Sequence, residues 1–356
     1  MQFQIAKAVL ENILIHTQPF IEKKDLSQIT SHLYFEATAS NTLTVKATDY
    51  EIGLVIDTSN IHVTEPGMAT ANGKKLLDIV RILNDGEISL ATKNGMLEIT
   101  QGHSDFQLPM YNAKEYPAFA GIENKPNVDL DAALLVNSLK KITPAADTNN
   151  PKFELNGALI DIKNGRINFV ATDTRRLALV SIEQTSGAEL SLIIPKKAII
   201  EIQKLFTSNI DIYYDATHLL IKSDQFTFFT KLINGKFPDY NRIIPGASNY
   251  KLTLPKGEFI NAIKQITTIS NDMKLTVETA KIHFESLSDE NNKAATEINV
   301  DTGISAPFTF AVNSRYILDF LGQIDQSSFV LELNEPTLPF VLSEDNFKTI
   351  VMPIVI

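Results

Sequence analysis

The sequence predicts an α+β fold: three tandem copies of one module, each with two helices on one face of an antiparallel sheet. Three patterns carry this expectation. Apolar triplets recur as Ile5, Leu10 and Leu14, then Leu130, Leu135 and Leu139, then Leu254, Phe259 and Ile263, at offsets of 125 and 124 residues. A run of two apolar residues, an acid and another apolar residue recurs as Leu76-Leu77-Asp78-Ile79, Ile199-Ile200-Glu201-Ile202 and Ile317-Leu318-Asp319-Phe320, at offsets of 123 and 118. The triplet Ala-Thr-Asp stands at 47–49 and again at 171–173, and the third copy has lost it. One short pattern recurs by chance in any mixed chain, but three that agree within a few residues mark an internal repeat. At 356 residues the chain exceeds what one core usually serves, and about 120 residues is an ordinary domain size. The expected domains are 1–120, 128–246 and 247–356.

Each element follows from local chemistry. In the first pattern the last two apolar positions lie four apart, one stripe of an amphipathic helix, which predicts helices within 5–18, 130–143 and 254–267. The second pattern predicts helices within 73–84, 195–207 and 313–324. A capping or turn residue precedes each (Asn72, Pro195, Asn313), with a basic residue just after it (Lys74, Lys197, Arg315). Between them, HLYFEA, TLTVKAT, RINFVAT, NIDIYYD, HLLIKS and FTFFTKLI are β-rich or alternating and read as strands. Asn94-Gly95 and Asn164-Gly165 suit two-residue type I′ hairpins. Segments 118–128 and 245–251 are rich in turn formers and short of apolar period, so they read as linkers.

Composition narrows the function classes. Without cysteine there is no disulfide framework, no thiolate metal site and no cysteine nucleophile, which fits a reducing compartment. The start lacks a basic region followed by an apolar stretch and a small-residue cleavage site, and no apolar run reaches eighteen residues. A cytoplasmic protein with no membrane partner is expected.

The net charge is −10, from 32 Lys and Arg against 42 Asp and Glu, which taken alone disfavours a nucleic-acid partner. The charge is uneven, however. The six helical windows hold twelve basic and six acidic residues, leaving twenty basic and thirty-six acidic elsewhere. Lysine is a good helix former on any solvated face, but a bias over the whole set points to one locally positive face. Lys74, Lys75, Arg81, Lys196, Lys197 and Lys204 carry most of it. No helix carries a set of base-reading side chains, so contact would be to phosphates and indifferent to sequence.

Catalytic signatures are weak. Histidines 16, 32, 62, 103, 218 and 283 show no HxxxH or HExxH spacing, and neither GxxxxGK[ST] nor GxGxxG occurs, so neither a metal nor any other cofactor is expected. Ser138-Leu139-Lys140-Lys141 matches SxxK but lacks the companion SDN and KTG motifs and lies within a repeated helix.

Three separated blocks then carry a resemblance. Ala171-Thr172-Asp173-Thr174-Arg175-Arg176-Leu177-Ala178, Lys236-Phe237-Pro238-Asp239-Tyr240-Asn241-Arg242-Ile243-Ile244-Pro245 and the terminal Ile350-Val351-Met352-Pro353-Ile354 together resemble the β sliding clamps of bacterial DNA polymerase III. The likeness covers the whole chain. It implies a non-catalytic processivity factor: a head-to-tail homodimer forming a ring around duplex DNA. Twelve helices spaced about 9–10 Å apart would trace a circle of roughly 110–120 Å. That leaves a hole of about 25–30 Å, wider than a duplex of roughly 20 Å.

The resemblance also implies a pocket for short peptides of the replicative polymerase alpha subunit, the clamp loader and other clamp-binding-motif proteins. Carried over, its residues are Leu155, Thr172, Thr174, Arg175, Arg176, Leu177, Pro238, Arg242, Ile243, Pro339, Ile350, Val351, Met352, Pro353 and Ile354. The apolar members would hold peptide anchors, and Arg176 and Arg242 would meet polar groups at the edge. The family usually has Gly-His where Thr174-Arg175 stand, Met at Ile354, Arg at Val355 and an aromatic residue at Glu154. DNA-facing residues would be Lys24, Arg81, Asn149, Lys196 and Lys197. The dimer contact would join Phe106 and Leu108 to Ile269. The competing readings are an acyl-enzyme hydrolase using Ser138 and Lys141, and a repeat scaffold that binds proteins but not DNA.

Overall fold

The six expected helices form: α1 (Lys7–Thr17), α2 (Gly73–Ile82), α3 (Ala132–Ile142), α4 (Lys196–Leu205), α5 (Lys256–Ile266) and α6 (Ser314–Leu321). Their buried faces are the stripes of the sequence pattern, such as Leu10, Ile13 and Leu14 on α1 and Phe259, Ile263 and Ile266 on α5. Two of the three capping residues act through their side chains. Asn72 accepts from the Lys75 N–H at 3.0 Å, and Asn313 from the Arg315 N–H at 3.1 Å. The computed structural model describes residues 1–25, 28–183, 189–288 and 292–355. It divides into two compact units, residues 1–133 with 204–232 and residues 134–203 with 233–356.

The first unit contains two antiparallel sheets. One has five strands, in the order Ile61–Glu65, Gln2–Ala6, Glu87–Lys93, Met96–Gln101 and Ser104–Pro109. The other has eight, in the order Asn127–Val128, Asp211–Tyr214, His218–Lys222, Phe226–Lys231, Ile52–Thr58, Leu43–Thr48, His32–Ala37 and Gly67–Asn72. Its central seam joins strands far apart in sequence, with Phe229 opposite Gly53. Glycine is required there: a Cβ at Gly53 would lie 2.1 Å from the Phe229 ring. Phe20, Phe206 and Phe228 meet edge to face in the core beside this seam.

The second unit repeats the plan. Its eight-stranded sheet runs Leu190–Pro195, Gly157–Lys163, Arg166–Thr172, Arg176–Glu183, Phe347–Val351, Phe340–Glu344, Ser328–Leu333 and Tyr250–Pro255. The four-stranded sheet runs Ala295–Asn299, Lys281–Ser286, Asp272–Val277 and Phe308–Asn313. The seam here sets Arg176–Val180 against Phe347–Val351. At the expected type I′ turns, Asn94 and Gly95 have φ of 51° and 77°, and Asn164 and Gly165 have 52° and 71°, the positive values such hairpins need.

Candidate functional site

The Ala-Thr-Asp repeat is a turn. In the second unit the Thr172 hydroxyl donates to the Arg176 carbonyl at 2.6 Å and accepts from the Thr174 N–H at 3.2 Å. Asp173 Oδ1 accepts from the N–H groups of Arg175 and Arg176 at 3.0 and 2.9 Å. In the first unit Thr48 and Asp49 make the same bonds to Tyr50, Glu51 and Ile52. Hydroxyl and carboxylate thus replace the ladder where the strand reverses. The geometry holds Tyr50 and Thr174 at φ of 73° and 74°. That region favours glycine, so the β-branched Thr174 is strained there.

Past this turn, residues from the three resembling blocks come together. Leu177 lies opposite Thr172 on one side and Ile350 on the other. Leu177, Ile350, Val341, Phe237 and Tyr240 share one buried cluster with Leu159, Val170, Leu179 and Ile193. The Met352 N–H donates to the Arg175 carbonyl at 2.9 Å, and the Ile354 N–H to the Ala311 carbonyl at 2.8 Å, which fixes the terminal segment. Leu155, Thr172, Leu177, Ile350 and Val351 are buried; Pro238, Pro339, Pro353 and Ile354 are half-buried; Thr174, Arg175, Arg242, Ile243 and Met352 are exposed. A buried apolar floor with Met352 and Ile243 at the surface, 40% and 37% exposed, is the chemistry of a cleft for apolar anchors.

Arg176 departs from the expectation. On a strand, alternate residues face opposite ways, so Arg176 points away from the face bearing Leu177 and is 6% exposed. Its guanidinium donates to Asp173 at 3.0 Å, to Asp319 at 2.7 Å and to the Pro144 carbonyl, and stacks over the Tyr316 ring at 4.7 Å. Burial, with Asp173 nearby, raises the Tyr316 phenol above its ordinary pKa. Arg176 therefore braces the seam, whereas Arg242 is exposed and paired with Asp239 at 2.9 Å. Ser138 is 4% exposed on α3. Lys141 turns to Glu344 at 3.7 Å and to the Phe347 ring, so the SxxK pair forms no open nucleophile site.

One repeat escaped the sequence reading. Tyr116-Pro117-Ala118-Phe119 parallels Phe237-Pro238-Asp239-Tyr240. The Tyr116 hydroxyl donates to the His32 and Lys46 carbonyls, both at 3.2 Å, and the Tyr240 hydroxyl to Asp161 at 2.7 Å. Phe119 packs edge to face on Phe229 at 5.0 Å. In the first unit, then, aromatic rings cover the strand at Gly53, where the second unit has Leu177. The aromatic-Pro-x-aromatic spacing was the available signal.

The basic candidates divide. Lys24, Arg81, Asn149 and Lys197 are exposed, with Arg81 3.9 Å from Glu11. Lys196 is half-buried, and its ammonium donates to the Ala146 carbonyl at 2.6 Å. Burial lowers its pKa. Lys7 and Lys256 likewise reach the carbonyls of Leu83 and Ile324, each at 2.6 Å. Part of the helical surplus of lysine is thus structural, while Lys74, Lys75, Lys140, Lys197, Lys204, Lys264 and Arg315 remain exposed. Of the interface candidates, Ile269 is 41% exposed and Phe106 half-buried; Leu108 packs within its own unit at 6% exposed. Among the described residues no group of three or more His, Asp or Glu side chains is placed to hold a metal ion.

By class, then, this is a repeat protein whose modules join through shared sheets, with the terminal strand and the 237–244 segment packed over one apolar cluster. Comparison with known proteins gives the family. Models of the N-terminal, central and C-terminal domains of the DNA polymerase III beta subunit match residues 1–120, 129–239 and 241–355. The beta sliding clamp of Helicobacter pylori is 37% identical, over 99% of this chain and 100% of the relative. The crystal structure of a Helicobacter pylori beta clamp bound to a DNA ligase peptide superposes with a TM-score of 0.93 at 38% identity, covering both chains fully. The Pseudomonas aeruginosa beta subunit gives 0.93 at 25% identity, again over both chains fully. The chain belongs to the beta sliding clamp family of DNA polymerase III beta subunits.

Proposed function

We propose that this chain is a processivity clamp without catalytic activity of its own, working in the cytoplasm as a head-to-tail homodimer closed around duplex DNA. Its modules are 1–120, 128–246 and 247–356. Its cleft, from Leu155, Thr172, Thr174, Arg175, Leu177, Pro238, Arg242, Ile243, Pro339 and the 350–354 segment, tethers the replicative polymerase alpha subunit, the clamp loader and other clamp-binding-motif proteins. Exposed Lys24, Arg81, Asn149 and Lys197 face DNA phosphates, and Phe106 and Ile269 meet across the dimer contact.

One observation carries this reading: the same seam is made twice. In the first unit the last strand of the second module, Phe226–Lys231, pairs with the fourth strand of the first, Ile52–Thr58. In the second unit the last strand of the third module, Phe347–Val351, pairs with the fourth strand of the second, Arg176–Glu183. By the same rule the last strand of the first module, Ser104–Pro109, seeks the fourth strand of the third, Ala295–Asn299. Each of these lies at the edge of its sheet. A second copy supplies the missing partner to both edges, and edges left open would otherwise invite aggregation.

Retention by topology needs only loose, salt-sensitive phosphate contact. Loaded by a clamp loader onto a nicked circular plasmid, the protein is expected to stay on the circle and to run off once the plasmid is linearised. Equal durability on circular and linear DNA would overturn the ring. For the cleft, a fluorescein-labelled copy of the ligase peptide found on the Helicobacter pylori clamp is expected to bind the full chain. The Leu177→Ala, Met352→Ala double variant should lose that binding, and unchanged binding would remove the assignment.

A further inference from the structure

Next to the cleft, on the same face of the second unit's large sheet, lies an open groove of about 700 Å³. We propose that this groove receives, as an extended chain, the residues flanking the apolar anchor of the partner peptide, with an acidic side chain of that flank against Lys348. The proposal rests on the cleft reading and extends it.

The face changes character in steps of two residues. Leu177 stands between Thr172 and Ile350, and Leu179 between Val170 and Lys348. Ser181 follows, opposite Asn168, and its N–H donates to the Asn346 carbonyl at 3.1 Å. Glu183 comes last, opposite Arg166. At about 3.3 Å per residue, Leu177 and Ser181 are roughly 13 Å apart, the span of four residues of an extended peptide. The groove is continuous with the floor of the cleft, since Leu179, Tyr240 and Ile244 line it and also belong to, or pack against, the cluster around Leu177.

Its polar lining suits main chain. The carboxamides of Asn164, Asn168, Asn241 and Asn346 border it, and each such group can both donate to and accept from a peptide backbone without regard to side-chain identity. The cations differ in availability. Lys163 is held by Asp161 at 2.6 Å and Arg166 by Glu183 at 3.3 Å. Lys348 is exposed and has no ion-pair partner among the described residues. It is the unpaired cation of the lining and sits in the row next to Leu177, so the adjoining residue of a bound peptide meets a cation, whereas the exposed Asp345, which accepts from the Gln326 amide at 2.9 Å, lies three residues away at the strand turn.

The labelled ligase peptide can be titrated onto the full chain by fluorescence anisotropy in three forms. One is unextended, one carries Glu-Ser-Asp-Ser at its amino or carboxyl end, and one carries Lys-Ser-Lys-Ser in the same places. One of the two acidic extensions is expected to tighten binding roughly fivefold at low salt, as an exposed ion pair allows. That gain should vanish in Lys348→Glu and fade above about 0.5 M salt, while the unextended peptide binds wild type and variant alike. The groove assignment falls if neither acidic extension tightens binding, if the lysine extension gains as much, or if the gain survives Lys348→Glu. Failure of the unextended peptide to bind would instead overturn the cleft, and the groove with it.

Discussion

Thr174 is a β-branched residue held at φ +74° by three hydrogen bonds around Thr172 and Asp173. Such a residue costs roughly 1–2 kcal/mol in the left-handed region, partly offset in a glycine variant by its freer unfolded chain. Thr174→Gly is therefore expected to stabilise the protein by about 0.5–1 kcal/mol, read as a higher urea midpoint. Thr174→Val should not gain. His32 gives a pH dependence. Its ring is 5% exposed, lies 4.5 Å from Tyr111 and has no hydrogen-bond partner at Nδ1. Burial, and then the charge of Lys75, lower its pKa from 6.5 to about 4. Between those values the unfolded chain binds a proton that the folded chain refuses. This contribution to stability is thus whole well above pH 6.5 and is lost as pH falls toward 4, by roughly 3 kcal/mol. His32→Phe should flatten that part of a urea-midpoint profile against pH.

At the seams, side-chain size decides what the backbone can do. In Gly53→Ala the new methyl would meet the Phe229 ring, so a loss of about 1–3 kcal/mol in chemical denaturation is expected. Phe229→Leu should restore part of it in the double variant, a coupling that a purely conformational effect of glycine would not give. The helices were readable because each buries a stripe at helical period, and the shorter strands because they alternate or run β-rich. The seams were not readable. Pairing between Phe226–Lys231 and Ile52–Thr58 is long-range, and no local pattern encodes which edges meet. Arg176 differs from the expectation for a related reason. Resemblance placed it at the cleft, whereas strand parity, once the register is known, turns it to the other face toward Asp319. Lys196 was counted as surface charge because a sequence does not reveal that the Ala146 carbonyl lies within its reach.

For the whole molecule, the strands Ser104–Pro109 and Ala295–Asn299 each leave one edge of a sheet open, and the proposed ring closes through them. Phe106→Glu or Ile269→Glu would place a carboxylate in the proposed dimer contact, and either is expected to weaken association at least tenfold, giving a sedimenting monomer where the parent is a dimer. A stable parent monomer at micromolar concentration would contradict the ring. The shared sheets also change what a break in the covalent chain means. Each linker is spanned by a ladder of main-chain hydrogen bonds between the segments it joins, Ile52–Ile56 with Phe226–Thr230 and Arg176–Val180 with Phe347–Val351. A protease cutting once within 118–126, or once within 245–249, would therefore release nothing. The severed pieces would migrate together in native gels and part only in denaturant, so limited digestion is a poor guide to where one module stops and the next starts.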